Sequence, residues 1–140
     1  MCEFRQINIV GKMNLNSKLS ILLVEDNELN QRLMKISLAR FNYNVSIAIN
    51  GLEAIQMFIK EKFDIILMDI MMPVMDGFES TKHIRNIEFK NPDLGHIPII
   101  AFTANTINND REKCIKAGMD DILEKPFDII KFRKVLSSLP

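Results

Sequence analysis

Net charge is the first thing the sequence lacks. Eighteen lysine and arginine residues balance eighteen aspartate and glutamate residues. Without a basic excess, a chain has no overall electrostatic footprint for nucleic acid or anionic membranes. Cysteine is scarce as well. Cys2 and Cys114 stand far apart, outside any disulfide framework or zinc-ligand spacing. They read as a thiol near the terminus and a small residue in a helix. No apolar run approaches the roughly 20 residues that span a bilayer. The opening segment, MCEFRQINIVGKMNLNSKLS, lacks the compact apolar stretch of a secretion signal. The expectation is a cytoplasmic chain with no nucleic-acid partner and no membrane insertion of its own. Internal repeats and low-complexity tracts are also missing.

What is present is an ordinary globular composition, 47% hydrophobic and 26% charged over 140 residues. That length fits one domain with a core of its own. Residues 1–19 are polar with scattered apolar positions, as in a leader or a linker from an upstream domain. From Ser20 onward, short apolar runs alternate with segments of helical spacing. Ile21 to Val24 is a continuous apolar run of the kind a buried parallel strand needs. Leu29, Leu33, Ile36 and Arg40/Phe41 then recur at helical spacing. Val45 to Ala48 is a second strand. Asn50-Gly51-Leu52-Glu53 resembles a capping box and opens a helix to about Lys60. Ile65 to Met68 is a third strand, closed by Asp69. Pro73 and Asp76-Gly77 mark a loop, with a helix from about Phe78 to Ile87. Asn91-Pro92 and Gly95 break it. Ile97 to Phe102 reads as a fourth strand ending at Thr103. Asp110 to Ala117 is helical up to Gly118. Asp121 to Glu124 is a fifth strand, and Ile129, Phe132, Leu136 and Leu139 give the last helix an apolar face. Five β-α repeats imply an α/β fold, a parallel sheet covered by helices on both sides.

The polar residues at the strand ends carry the chemistry. Glu25 and Asp26 follow strand one, Asp69 follows strand three, Thr103 follows strand four and Lys125 follows strand five. In a parallel sheet these all lie on one edge, where ligands bind. If strand one lies between strands two and three, they converge on one crevice. Three carboxylates together repel unless one keeps its proton or a cation neutralises them. A hard divalent cation with oxygen ligands, Mg²⁺, is the simple solution. Such a crevice suits a phosphoryl group, whose transfer depends mainly on positioning and charge neutralisation. An aspartate can then be the nucleophile. Taken singly, each residue has a plainer reading. Glu25-Asp26-Asn27 could be a helix cap, Asp69 a turn residue, Thr103 strand filler and Lys125 a surface charge. Met68, Met71, Met72 and Met75 read as flexible packing rather than a soft-metal site. His83 and His96 read as surface residues.

The segments ILLVEDNELN, DIILMDIMMPVMDGFE, IPIIAFTAN and AGMDDILEKPF resemble the receiver domains of response regulators, in detail most like those of hybrid sensor histidine kinases. The resemblance covers about residues 20–139 and assigns 20–140 to the receiver domain. It implies a flavodoxin-like, doubly wound sheet of five parallel strands in the order 2-1-3-4-5, with five helices. It implies that Asp69 accepts a phosphoryl group from a histidine kinase, with low intrinsic hydrolysis of the product. By the same resemblance Asp26, Asp69 and the backbone carbonyl of Met71 would ligate Mg²⁺. Glu25 would hold metal-bound water and the lysine, Lys125 would pair with Asp69, and Thr103 would reach the phosphoryl oxygens. The Lys125-Pro126 peptide would be cis. A histidine-phosphotransfer protein is a further expected partner. Ile122 departs from the pattern, since that position often carries an aromatic ring that turns inward on activation. An aspartyl phosphatase of the haloacid-dehalogenase type would need a carboxylate where Met71 stands. A flavodoxin-like FMN carrier would need a phosphate loop where Glu25-Asp26-Asn27 stands. A partner-binding pseudo-receiver fits poorly with an intact set of site residues.

Overall fold

The computed structural model describes residues 18–104 and 109–139. Five strands, β1 (Ser20–Val24), β2 (Asn44–Ala48), β3 (Ile65–Asp69), β4 (Ile99–Thr103) and β5 (Asp121–Glu124), form one sheet. All neighbours are parallel, in the order β2-β1-β3-β4-β5. The helices are α1 (Glu28–Ala39), α2 (Gly51–Lys60), α3 (Gly77–Lys90), α4 (Asn109–Ala117) and α5 (Ile129–Ser138), with a 3₁₀ turn over Pro92–Leu94. The expected order 2-1-3-4-5 is the observed one. Cys2 and most of the expected leader lie outside the described residues. Leu19, the last residue assigned to it, is fully buried, and its carbonyl accepts the N–H of Asn44 at 2.8 Å.

The strands are apolar on both sides because both sides are covered. Leu22, Val24, Ile66, Met68, Ile99 and Ala101 face one core, completed by Ala54 and Phe58 of α2, Ile84 of α3 and Cys114 of α4. Ile21, Leu23, Ile65, Leu67, Ile100 and Phe102 face the other, completed by Met34 and Leu38 of α1 and Phe132 and Leu136 of α5. Alternate residues of one apolar run thus serve opposite cores.

Side-chain caps fix where the helices begin. Asn27 accepts the Asn30 N–H, Asn50 that of Glu53, Asp76 that of Glu79, and Asp128 those of Ile130 and Lys131. Glu53 reaches back to the Ile49 N–H at 3.1 Å, one residue ahead of the cap itself. Two boundaries differ from the sequence reading. α3 runs three residues beyond Ile87, to Lys90, because Glu88 stays buried, paired with Arg85 and accepting the Ile97 N–H at 2.6 Å. Ile97 and Pro98 precede β4 rather than form part of it. Arg85 also donates to Ile97 O, Gly118 O and Asp120, and His96 Nε2 lies 2.6 Å from Asp120 Oδ1. His96 is therefore a tied, half-buried residue, whereas His83 is exposed.

In α1, Leu29, Leu33 and Ile36 are 65%, 56% and 57% exposed, and the helix packs through Met34 and Leu38. α1 carries two apolar stripes, so spacing alone identifies the helix but not its inward face.

The connection from β3 into α3 is tight. A Cβ on Gly77 would lie 2.5 Å from the carbonyl oxygen of Asp69 and 2.8 Å from Ile70 Cα. Both are backbone atoms, which cannot move aside. Gly77→Ala should therefore destabilise the fold by about 1–3 kcal/mol, as overpacking does. Urea unfolding would show a lower midpoint with an unchanged slope. An unchanged midpoint would show that the loop gives way at no cost.

Candidate functional site

The carboxyl ends of β1, β3, β4 and β5 meet at one edge of the sheet. Glu25 follows β1 directly, and its N–H donates to Ala48 O at 3.0 Å, which locks the end of β1 against β2. Asp69 is the last residue of β3, Thr103 the last of β4, and Lys125 follows β5. The N–H of Lys125 donates to Thr103 O at 2.8 Å, so β4 sets where the lysine emerges. The Lys125-Pro126 peptide is cis, as expected.

Glu25, Asp26 and Asp69 come together: one carboxylate oxygen from each lies within 4.8 Å of the others. Asp69 and Glu25 are buried and Asp26 is exposed. Asp69 Oδ1 accepts the Met71 N–H at 3.1 Å, and Asp69 Oδ2 accepts from Lys125 Nζ at 3.1 Å. The same ammonium lies 3.9 Å from Glu25 Oε1. Glu25 Oε2 accepts the Asn27 N–H at 3.1 Å, and Asn30 Nδ2 reaches Glu25 Oε1 at 3.3 Å. The capping reading of this triplet holds for Asn27. Asn27 caps α1, which leaves Glu25 and Asp26 for the crevice.

The donor set suits a hard divalent cation: three carboxylates against one ammonium leave a net negative charge. The methionines do not compete. Met68 is in the core, Met71 is exposed and Met72 packs against the core edge. Thr103 is buried at the rim. Ile122 is half-buried and packs against the core beneath α2, α3 and α4, and it carries no ring of its own to turn. One participant carried no sequence signal of its own. Phe102 places its ring 5.3 Å from Lys125 Nζ, and only the fold brings the two together.

With this geometry in view, comparisons with known proteins agree. The model of the response regulator receiver domain family matches residues 21–137. The chain belongs to that family and is a receiver domain of the two-component type. It is 39% identical over 127 residues to hybrid signal transduction histidine kinase I of Dictyostelium discoideum, an alignment that takes in 87% of this chain and 7% of that protein. It is 35% identical over 118 residues to the sensor histidine kinase RcsC of Escherichia coli, covering 83% of this chain and 12% of that one. The chain thus spans a small part of the curated relatives it matches. Among solved structures, the receiver domain of the sensor histidine kinase PA1611 from Pseudomonas aeruginosa is 40% identical, with a TM-score of 0.76 over 86% of this chain and 96% of that one. That structure has a magnesium ion coordinated in its active-site cleft. The complex of the Saccharomyces cerevisiae phosphotransfer protein Ypd1 with the receiver domain of Ssk1 gives 30% identity and a TM-score of 0.81, over 86% of this chain and 87% of that one. No described helix is long and apolar enough to cross a membrane.

Burial pushes the Glu25 carboxyl up from 4.5 to about 7, and the charge of Asp69 adds to the rise. The Asn27 N–H and the Lys125 ammonium pull the other way. The folded, metal-free protein thus holds this proton more tightly than the unfolded chain does. The contribution to stability is complete below about pH 4.5 and is lost as pH rises through about 7. In chelator, Glu25→Gln should gain in melting temperature over the parent across that window. A gap that stays constant with pH would show that Glu25 is already ionised in the fold.

Proposed function

We propose that this receiver domain takes a phosphoryl group onto Asp69, with Mg²⁺, and passes a signal on in that form. The observation that carries the reading is Asp69 itself. It is a buried carboxylate held by the Met71 N–H and the Lys125 ammonium, with Glu25 and Asp26 beside it. A carboxylate oxygen of Asp69 attacks the phosphorus of a phosphohistidine or a small acyl phosphate. The new P–O bond forms as the bond to the leaving group breaks, and the leaving imidazole or carboxylate keeps the electron pair. The ion would be held by Asp26, Asp69 and the carbonyl of Met71, with Glu25 behind a water ligand. Bound there, it neutralises charge on the phosphoryl oxygens. Lys125 transfers its contact from Asp69 to a phosphoryl oxygen, and the Thr103 hydroxyl donates to another. Each charge-assisted bond exists only in the phosphorylated form, so the two together bias the domain toward it. Slow self-catalysed hydrolysis resets the domain.

The partners follow from the chemistry and the surface. A histidine kinase, or a histidine-phosphotransfer protein, supplies or receives the group. Leu29, Leu33 and Ile36 form an exposed apolar stripe on α1. Beside it runs a groove of about 410 Å³ between α1 and the segment Lys125-Pro126-Phe127. A helical partner seated there would bring its histidine to Asp69 through a transient interface of modest area. Residues 20–140 act as the receiver unit, with 1–19 leading into it. Two cysteines in no disulfide spacing suit a reducing, cytoplasmic setting.

Acetyl phosphate with Mg²⁺ should label the protein on Asp69, and Asp69→Asn should abolish labelling while the protein stays folded. A label found by mass spectrometry at another residue would overturn the assignment. Leu33→Glu should slow transfer from a phosphotransfer protein at least about fivefold, since an interface core residue of this kind is worth more than about 1 kcal/mol. Its labelling by acetyl phosphate should not change. Equal slowing with both donors would move the contact away from α1.

A further inference from the structure

We propose that Phe102 is a positioning residue for phosphoryl acceptance, its ring holding the Lys125 ammonium over Asp69. The proposal rests on the reading of Asp69 as acceptor and Lys125 as its cation. Lys125 Nζ sits in a three-sided seat, 3.1 Å from Asp69 Oδ2, 3.9 Å from Glu25 Oε1 and 5.3 Å from the centroid of the Phe102 ring. A cation within about 6 Å of a ring centroid is drawn to the negative face of the ring.

Three features make the ring a fixed support rather than a chance neighbour. Phe102 is buried in β4, directly across from Asp69 in the register of β3 and β4. Its ring meets Phe127 edge-on at 6.0 Å, and Phe127 in turn packs on the fully buried Phe132 at 5.7 Å. The ring therefore cannot swing away without disturbing the core under α5. The third feature is the groove of about 410 Å³, which Lys125 and Phe102 both line. It offers the lysine a hydrated alternative, and its side chain is 26% exposed. The four-carbon stem is flexible enough to reach that alternative. The ring face favours the position over Asp69, where phosphoryl oxygens must arrive, so less ordering remains when the reaction starts. A leucine at this position would fill much of the volume but would carry no negative face.

Fluorination of the ring tests this, because it withdraws electron density from the face and barely alters its shape. One, two or three fluorines would be placed on Phe102 alone, by site-specific incorporation. With acetyl phosphate and Mg²⁺, the labelling rate of Asp69 should fall stepwise with each fluorine, by about two- to thirtyfold in total, at an unchanged melting temperature. In the metal-free protein, NMR should show the ε-methylene protons of Lys125 shifted upfield by the ring, with the shift lost in Phe102→Leu. A trifluorinated protein labelled at the parent rate would overturn the positioning role, as would an ε-methylene shift that survives in Phe102→Leu. A parent protein that takes no label on Asp69 would instead overturn the acceptor reading, and this proposal with it.

Discussion

Three carboxylates with oxygens within 4.8 Å of one another are the constraint to which the rest of the structure answers. In water such a cluster would disperse. Here Glu25 and Asp69 are almost completely buried, and like charges at that separation raise the cost of ionising both. The chain meets the cost in three ways. Lys125 places one ammonium against Asp69 and near Glu25, backbone N–H groups of Asn27 and Met71 donate into the cluster, and Glu25 holds its proton up to about pH 7. The remaining imbalance is what makes the crevice attractive to a divalent cation and, through it, to a phosphoryl group.

Holding that cluster together requires a rigid edge. β1 and β3 lie side by side at the centre of the sheet, with Val24 paired to Met68, so the residues after them are adjacent by construction. β4 carries Thr103 to the same edge and anchors Lys125 through the Thr103 carbonyl. Gly77 lets α3 begin directly against the carbonyl of Asp69. At the far side, Arg85 ties α3 to Ile97, Gly118 and Asp120, which fixes the entries of β4 and β5. The site is thus built on strand ends rather than on long loops, which favours precise geometry.

The same edge is where the proposed partner would approach. α1 starts beside Glu25, capped by Asn27, and turns Met34 and Leu38 inward while Leu29, Leu33 and Ile36 stay in water. Exposed apolar side chains at this place make sense as a contact surface rather than as a flaw in the core. Ile122, lacking a ring, packs as part of the core.

The sequence by itself determined the class of fold and which polar residues stand at the carboxyl edge of the sheet. Short continuous apolar runs at β1, β3 and β4 are the pattern of strands buried on both faces, and a β-α alternation with right-handed crossovers leaves few sheets to choose from. Glu25, Asp26, Asp69, Thr103 and Lys125 were legible because each falls where an apolar run ends. Those features are local, and a linear pattern carries local information well. Tertiary structure decided which stripe of α1 faces inward, because a helix with two apolar stripes is ambiguous until something packs against it. It decided that α3 continues to Lys90, because Glu88, already paired with Arg85 one turn back, meets the Ile97 N–H only once the entry to β4 is in place. It also decided the partnership of Phe102 and Lys125. Phe102 stands on β4 and Lys125 just beyond the end of the neighbouring β5, and their meeting depends on register and on which way each side chain points, neither of which is written in spacing along the chain.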